Sequence, residues 1–181
     1  MNSLIIFDTE TTGLLGPSAL PLEQQPRIIE LGLLKLDGET LEEMEVLTQR
    51  LDPEQPLSAE ITKITGLTDR DLRGQPTFAR VYPRLVDFFL GARVLIGHNL
   101  PFDRGLLAGE LQRMGKLLAF PWPPEHICTA EQTEHLEGKL LKQEALYQRA
   151  TGHPANQTHR AGDDVRQLAE IVRWGRKEGL W

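Results

Sequence analysis

The sequence predicts a mixed α/β fold, and two observations support this class. Short apolar runs that are typical of buried strands alternate with segments of helical periodicity along the chain. The 181 residues, of which 40% are hydrophobic and 25% charged, suit one globular unit with enough apolar material for its own core. We find no internal repeat, low-complexity segment or linker, so we expect a single domain over residues 1–181.

Three strands and three helices are predicted in the first half of the chain. The strands lie at residues 4–7, 27–36 and 40–51, and the helical patterns lie at 58–64, 69–73 and 77–90. The first strand is a continuous apolar run, which indicates burial on both faces, and polar residues from Asp8 end it. A loop rich in proline and glutamine follows at 15–26. Asp37 and Gly38 predict a two-residue hairpin turn between the second and third strands.

The second half of the chain predicts two further short strands among helices. An apolar strand at 93–97 leads into a helix that runs to about Met114, with Pro101 in its first turn, where a missing N–H does no harm. A short strand is expected around Ile127. Further helices are predicted at 130–136, at 140–150 and from about 160 to 176.

Composition and charge exclude several classes of protein. The net charge of −6 argues against a protein that coats nucleic acid through a broad basic field. No stretch approaches the ~18 consecutive apolar residues of a membrane span, and the N-terminus lacks the features of a signal peptide. Cys128 is the single cysteine and cannot form an internal disulfide. We therefore expect a soluble, cytoplasmic protein with no membrane partner.

Two carboxylates stand at the end of the first strand. Asp8 and Glu10 are two residues apart, so their side chains point to the same face. Ligand crevices open at strand ends in α/β sheets. Such a pair of residues is also common in ordinary loops, but carboxylates held side by side repel each other, and a divalent cation would relieve that repulsion.

Two later helices offer further carboxylates. Asp103 falls on the inward stripe that Leu107 and Leu111 define, and a buried carboxylate costs several kcal/mol unless something pairs with it. In the last helix, Asp164 lies nearer the apolar face, whereas Asp163 lies on nearly the opposite side and is expected in solvent. We therefore take Asp164, and not Asp163, as the candidate ligand.

A histidine precedes the last of these acids. His159 is five residues before Asp164 and could reach over a site formed by the four carboxylates. Hard oxygen ligands of this kind suit Mg²⁺ or Mn²⁺ rather than zinc. Two such ions roughly 4 Å apart can hold the attacking and leaving oxygens of a phosphoryl displacement. A histidine that titrates near pH 7 can accept the proton of the attacking water.

These residues resemble the DnaQ-like 3′→5′ exonucleases of the DEDDh type. The order and spacing of three motifs fit over nearly the whole chain, and the three together make a chance match improbable. The motifs are Asp8-Thr9-Glu10-Thr11-Thr12-Gly13-Leu14, Ile96-Gly97-His98-Asn99-Leu100-Pro101-Phe102-Asp103 and His159-Arg160-Ala161-Gly162-Asp163-Asp164. One departure is Thr65, which stands where the family often has histidine.

The resemblance implies a ribonuclease H-like fold with a central mixed β-sheet flanked by helices. It implies that two divalent metal ions, Mg²⁺ or Mn²⁺, are bound by Asp8, Glu10, Asp103 and Asp164. It also implies that His159 is the general base of a catalytic group formed with these four acids. The positions that match substrate contacts are Thr11, Thr12, Gly13, Leu14, Asn99 and Phe102. His98 is expected to be structural.

The function implied is metal-dependent removal of nucleoside 5′-monophosphates from single-stranded DNA 3′ ends, in proofreading or repair. An RNA-trimming enzyme of the RNase T or oligoribonuclease kind stays open, because the same site handles both sugars. A stand-alone enzyme and a DNA polymerase subunit are equally compatible with the sequence.

Two other classes fit less well. A haloacid dehalogenase phosphatase would carry aspartate where Glu10 stands, and an apolar strand would precede Gly162. A nucleic-acid-binding module without catalysis should lack at least one of the five chemical residues, and all five are present.

Overall fold

Within residues 3–155 and 160–181, which the computed structural model describes, five strands form one mixed sheet. They are β1 (Ser3–Thr11), β2 (Ile28–Asp37), β3 (Glu43–Arg50), β4 (Ala92–Gly97) and β5 (Glu125–Cys128). Their spatial order is β3-β2-β1-β4-β5. β2 pairs antiparallel with both β1 and β3, whereas β4 runs parallel to both β1 and β5. β1 is therefore the central strand, and it runs past Asp8, where the predicted strand ends, to Thr11 because its polar residues still pair with β2.

The same described residues contain seven α-helices. They are α1 (Ala59–Thr65), α2 (Asp69–Leu72), α3 (Phe78–Phe89), α4 (Leu100–Arg113), α5 (Thr129–Gln132), α6 (Gln143–Thr151) and α7 (Ala161–Lys177). Short 3₁₀ turns occupy Leu22–Gln24, Leu117–Ala119 and Glu134–Leu136. None of the helices in these described parts is both long and apolar enough to cross a lipid bilayer.

Helices cover both faces of the sheet, and the alternation of β1 decides which residue meets which layer. Ile5 and Phe7 are fully buried against residues of α3 and α4. Leu4 and Ile6 point to the other face, where they pack with residues of α6 and α7. Each large apolar side chain buried in this way contributes about 1.5–3 kcal/mol. Asp8 and Glu10 follow in the same alternation, so they continue the face that α7 covers.

The connection between β2 and β3 differs from the predicted two-residue turn. It spans residues 38–42, and Leu41 adopts a left-handed backbone with φ of 57°. Asp37 Oδ1 accepts hydrogen bonds from the backbone N–H groups of Glu39 and Thr40, each at 2.9 Å. The two-residue prediction was wrong because the Asp37 side chain organises a longer loop.

The helices predicted at 130–136 and 140–150 are shorter than expected. The first is divided into α5 and a 3₁₀ turn, and the second begins only at Gln143. The division falls at Thr133, whose hydroxyl donates to the carbonyl of Thr129 at 2.7 Å and whose backbone leaves the helical region.

Candidate active site

The candidate site lies at the end of β1, on the face of the sheet that α7 covers. The strand register aligns side chains of β1, β2 and β3 in rows that cross this face. One row contains Glu10, Glu30 and Arg50, and the next contains Asp8, Gly32 and Thr48. The carboxylates of Asp8 and Glu10 therefore stand side by side, as their spacing predicts.

Two glycines let α7 begin directly on this sheet. A Cβ atom at Gly32 would overlap the backbone carbonyl of Ala161, the first residue of α7. A Cβ atom at Gly162 would lie only 2.8 Å from the hydroxyl oxygen of Thr48. The first turn of α7 therefore packs against the row that contains Asp8.

Three of the predicted carboxylates meet where α7 lands. Asp8, Glu10 and Asp164 each offer a carboxylate oxygen, and these oxygens lie within 4.8 Å of one another. All three side chains are partly buried, whereas Asp163 is exposed. The predicted orientation of the last helix is therefore correct. We call these three residues the carboxylate cluster.

Burial and mutual repulsion make Asp8 and Glu10, two members of the carboxylate cluster, hold their protons to higher pH than free acids do. Burial raises the pKa of Asp8 well above its ordinary range, and the charges of Asp103, Asp164, Glu10 and Glu30 raise it further. The pKa of Glu10 rises from 4.5 to about 8, first through burial and then through Asp164 and Glu30. A divalent cation could replace these protons and relieve the repulsion. The donor set, which is all carboxylate oxygen, fits Mg²⁺ or Mn²⁺.

Asp103 lies beside the carboxylate cluster rather than in it. Its Oδ1 atom accepts hydrogen bonds from the backbone N–H of Thr9 at 3.0 Å and from the Thr9 hydroxyl at 2.6 Å. Burial raises the pKa of Asp103 to about 7, although the bonds from Thr9 oppose that rise. Sequence reasoning did not identify Thr9 as a partner. The available signal was alternation, since Thr9 points to the α4 face, opposite to Asp8 and Glu10.

The predicted base, His159, lies outside the described residues. The residue after it, Arg160, is described: its guanidinium lies 3.4 Å from Glu30 Oε1. Arg160 is also the N-cap residue of α7, and Asp164 follows within the first turn of that helix.

A cleft of about 510 Å³ opens from the carboxylate cluster toward the segment that precedes α6. Its far wall includes Leu140, Lys142 and Gln143. The side-chain amide of Gln143 donates to the backbone carbonyl of Asp164 at 3.0 Å, so α6 and α7 are connected beside the site. Sequence reasoning missed this wall, because nothing in the polar start of α6 indicates which face of the sheet it approaches.

The second motif supplies a structural histidine and two predicted contacts. His98 bridges the hydroxyl of Thr129 at 3.0 Å and the carbonyl of Leu141 at 2.9 Å, and burial lowers its pKa. Asn99 lines the cleft and adopts a left-handed backbone with φ of 61°, which asparagine tolerates well. Phe102 is half-buried and packs against the core beneath α4.

The loop after β1 is shaped by its own threonines. The Thr11 hydroxyl donates to the carbonyl of Gly13 at 2.7 Å. The Thr12 hydroxyl oxygen accepts from the backbone N–H of Arg27 at 2.9 Å. Both hydroxyls thus hold the loop in place, whereas Leu14 projects into solvent with 84% of its surface exposed.

Comparison with known proteins gives the family and related sequences. A family model described as exonuclease matches residues 5–172. The DNA polymerase III PolC-type of Clostridium perfringens is 32% identical over 176 residues, which cover 96% of this chain and 11% of that protein. The PolC-type polymerase of Halalkalibacterium halodurans is 39% identical over 117 residues, which cover 63% of this chain and 7% of that protein. The chain therefore spans about a tenth of the length of these relatives, or less.

Solved structures share the fold. The nuclease domain of 3′hExo, described as a DEDDh family member bound to rAMP, has a TM-score of 0.77 at 20% identity, and the match covers 98% of this chain and 93% of that one. Exonuclease X in complex with 5′ overhanging duplex DNA has a TM-score of 0.68 at 23% identity, with the same coverage of both chains. The predicted fold class, a central mixed sheet flanked by helices of the ribonuclease H-like kind, is confirmed.

Proposed function

The chain belongs to the exonuclease family, as its resemblance to the DEDDh enzymes predicted, and we propose that it degrades single-stranded DNA from the 3′ end. The products would be nucleoside 5′-monophosphates, released one at a time. The observation that carries this proposal is the carboxylate cluster, whose three oxygen donors lie within 4.8 Å of one another beneath an open cleft.

The metal ligands we propose are Asp8, Glu10 and Asp164, with Asp103 beside them. When bound, two Mg²⁺ or Mn²⁺ ions would stabilise charge on the attacking and leaving oxygens of the phosphodiester. Asp8 and Asp164 come from different elements, β1 and α7, and the landing of α7 on Gly32 holds them together. Thr9 keeps the Asp103 carboxylate turned toward the end of β1 through two hydrogen bonds.

We assign His159 as the general base. The imidazole would accept a proton from water as the water oxygen forms its bond to phosphorus. The bond from phosphorus to the 3′ oxygen of the next nucleotide would break, and that oxygen would take a proton from solvent. The anchoring of Arg160 by Glu30 supports this role, because it ties the residue next to His159 to the sheet that carries Glu10.

The terminal nucleotide would be held by the loop after β1 and by the start of α4. Leu14 is apolar and exposed, so its side chain is available to pack against a base. Thr11 and Thr12 would act by shaping the loop, and Gly13 by letting the backbone approach the substrate. Asn99 lies in the cleft and could contact the substrate, and Phe102 stands in the first turn of α4.

RNA is the second candidate substrate. The fold neighbour 3′hExo is described with rAMP bound, and another structure of a 3′-exonuclease is described as recognising a histone mRNA stem-loop. DNA is favoured by the PolC-type relatives, which are DNA polymerases. Those relatives also support proofreading beside a polymerase as the cellular role.

A gel assay tests the proposal directly. DNA and RNA oligomers of equal sequence, labelled at the 5′ end, are incubated with the protein in Mg²⁺ or in EDTA. We expect a ladder that descends by single nucleotides in Mg²⁺ only, with DNA degraded faster than RNA. A faster RNA ladder would favour the exoribonuclease. The absence of a ladder on both substrates would contradict the proposal and favour a binding module without catalysis.

A further inference from the structure

Glu30 is an acid that the mechanism above does not use, although it lies in the row of the candidate site. It stands directly opposite Glu10 in the antiparallel pair of β1 and β2, and only 2% of its surface is exposed. Like charges directly opposite each other in a sheet are destabilising. The charge of Glu30 indeed contributes to the raised pKa values of Asp8 and Glu10. A buried acid at this position therefore needs an explanation.

Both oxygens of Glu30 have partners. Oε2 accepts a hydrogen bond from the backbone N–H of Ala161 at 3.1 Å. Oε1 lies 3.3 Å from Arg50 Nε and 3.4 Å from Arg160 Nη2. With these three donors around it, Glu30 is satisfied by the protein itself, and it is not among the residues whose oxygens form the carboxylate cluster.

The bond to Ala161 is made at the one place that fixes where α7 begins. The first N–H groups of a helix have no acceptor within the helix. The N-cap residue of α7 is Arg160, whose side chain only donates hydrogen bonds and makes no capping bond here. Glu30, which lies on β2, accepts the capping hydrogen bond instead. Its negative charge also complements the helix dipole.

The start of α7 in turn decides where Asp164 lies. Asp164 follows Ala161 by three residues, which is close to one helical turn. Gly32 and Gly162 let the helix approach the sheet closely, but they form no directional bond that would fix its orientation. The hydrogen bond and ion pairs of Glu30 fix that orientation.

We propose that Glu30 is a positioning residue of the metal site: it caps and anchors α7, so that Asp164 meets Asp8 and Glu10, without binding metal itself. The inference rests on the proposed function of the carboxylate cluster. Its consequence is that loss of Glu30 should weaken metal binding although all three ligand residues are still present.

Glu110 provides a matched control. It is also 2% exposed, it pairs with Arg27 at 2.9 Å and Arg113 at 3.4 Å, and it accepts a backbone N–H bond from Ile28 at 3.2 Å. It therefore forms the same kind of buried cluster as Glu30, but it anchors β2 to α4 and does not contact α7. Substitution of either acid by glutamine removes a comparable set of interactions.

The test is titration calorimetry with Mn²⁺ on the wild type, Glu30→Gln, Glu110→Gln and Asp8→Asn. We expect Glu30→Gln to bind Mn²⁺ about 10-fold more weakly, the lower end of the effect of losing a group bonded directly to a metal ligand, because Glu30 acts on Asp164 only through the start of α7. Glu110→Gln should bind like the wild type. The Mn²⁺ concentration for half-maximal nuclease activity should rise in Glu30→Gln by the same factor, with much of the turnover recovered at high Mn²⁺.

The outcomes separate this inference from the proposed function. Equal Mn²⁺ affinity in Glu30→Gln and the wild type would overturn the positioning role alone. A wild type that binds no Mn²⁺, or an Asp8→Asn variant that binds it normally, would overturn the metal site itself. If Glu30→Gln has no cooperative melting transition, Glu30→Asp carries the same test. That variant keeps the charge but is too short to reach Ala161 and both arginines, so its Mn²⁺ affinity should also fall.

Discussion

Replacing Glu10 by glutamine should make the metal-free protein more stable at alkaline pH while it removes the function. The reason is that the folded state holds Glu10 among other acids, whereas the unfolded chain exposes it to water. The folded pKa of about 8 lies above the ordinary value of 4.5. A raised pKa of an acid means that the native state binds more protons, so the stability of the wild type falls as pH rises between these values.

The size of the effect follows from the same shift. Each pKa unit corresponds to about 1.4 kcal/mol. Between pH 5 and pH 8 the wild type should lose about 3 kcal/mol through Glu10 if the shift acts at full strength. Partial solvent contact and the sharing of repulsion with Asp8 reduce this to about 2 kcal/mol. The glutamine amide does not titrate, and because it is neutral and polar like the protonated carboxyl that it replaces, burying it costs only slightly more at every pH.

The assay is urea unfolding in EDTA at pH 5 and pH 8. We expect Glu10→Gln to be slightly less stable than the wild type at pH 5, and to gain about 2 kcal/mol relative to it by pH 8. Glu43 is exposed on β3, and Glu43→Gln serves as the control that should show no such gain. A difference between Glu10→Gln and the wild type that stays constant with pH would refute the repulsion on which the site depends. Saturating Mg²⁺ should reverse the order, because only the wild type gains about 2.7 kcal/mol at a concentration 100-fold above Kd.

Three further predictions follow from the landing of α7 and from the loop after β1. Asp164→Ala should abolish nuclease activity, whereas Asp163→Ala should keep most of it because the side chain is exposed; equal loss in both would contradict the orientation of α7. Gly32→Ala should cost about 1–3 kcal/mol in urea unfolding and weaken Mn²⁺ binding, since the new methyl group overlaps the Ala161 carbonyl. Leu14→Ala should change stability by less than about 0.5 kcal/mol but raise KM for single-stranded DNA several-fold; an unchanged KM would remove Leu14 from the substrate site.

The parts of the fold that could be predicted are those governed by local periodicity. The apolar run from Leu4 to Phe7 predicted a strand that is covered on both faces, and the burial of all four side chains confirms it. Helical periodicity likewise separated Asp164 from Asp163, since neighbouring residues on a helix point in directions about 100° apart. In both cases the evidence lay within one element.

The parts that could not be predicted depend on contacts between elements. The bond from Thr9 to Asp103 joins β1 to α4, and the bond from Gln143 to Asp164 joins α6 to α7. Periodicity indicates the face on which each partner lies, but not which residue of the facing element it meets. The prediction of a two-residue turn after Asp37 was wrong for a related reason. The Asp37 side chain accepts hydrogen bonds from two backbone N–H groups, and these bonds outweigh the preference of the Asp37-Gly38 dipeptide for a tight turn.

The row of Glu10, Glu30 and Arg50 shows why the metal site is kept apart from the acids that stabilise the fold. The charge of Glu30 is neutralised by Arg50 and Arg160, and the ion pair with Arg160 holds the start of α7 on the sheet. Among residues 3–155 and 160–181, no lysine or arginine pairs with Asp8 or Glu10, and their pKa values rise instead. An arginine within reach of Glu10 would lower that pKa and stabilise the metal-free protein, but it would also compete with a cation for the same oxygens. The instability of the metal-free cluster is therefore the property that allows it to bind metal.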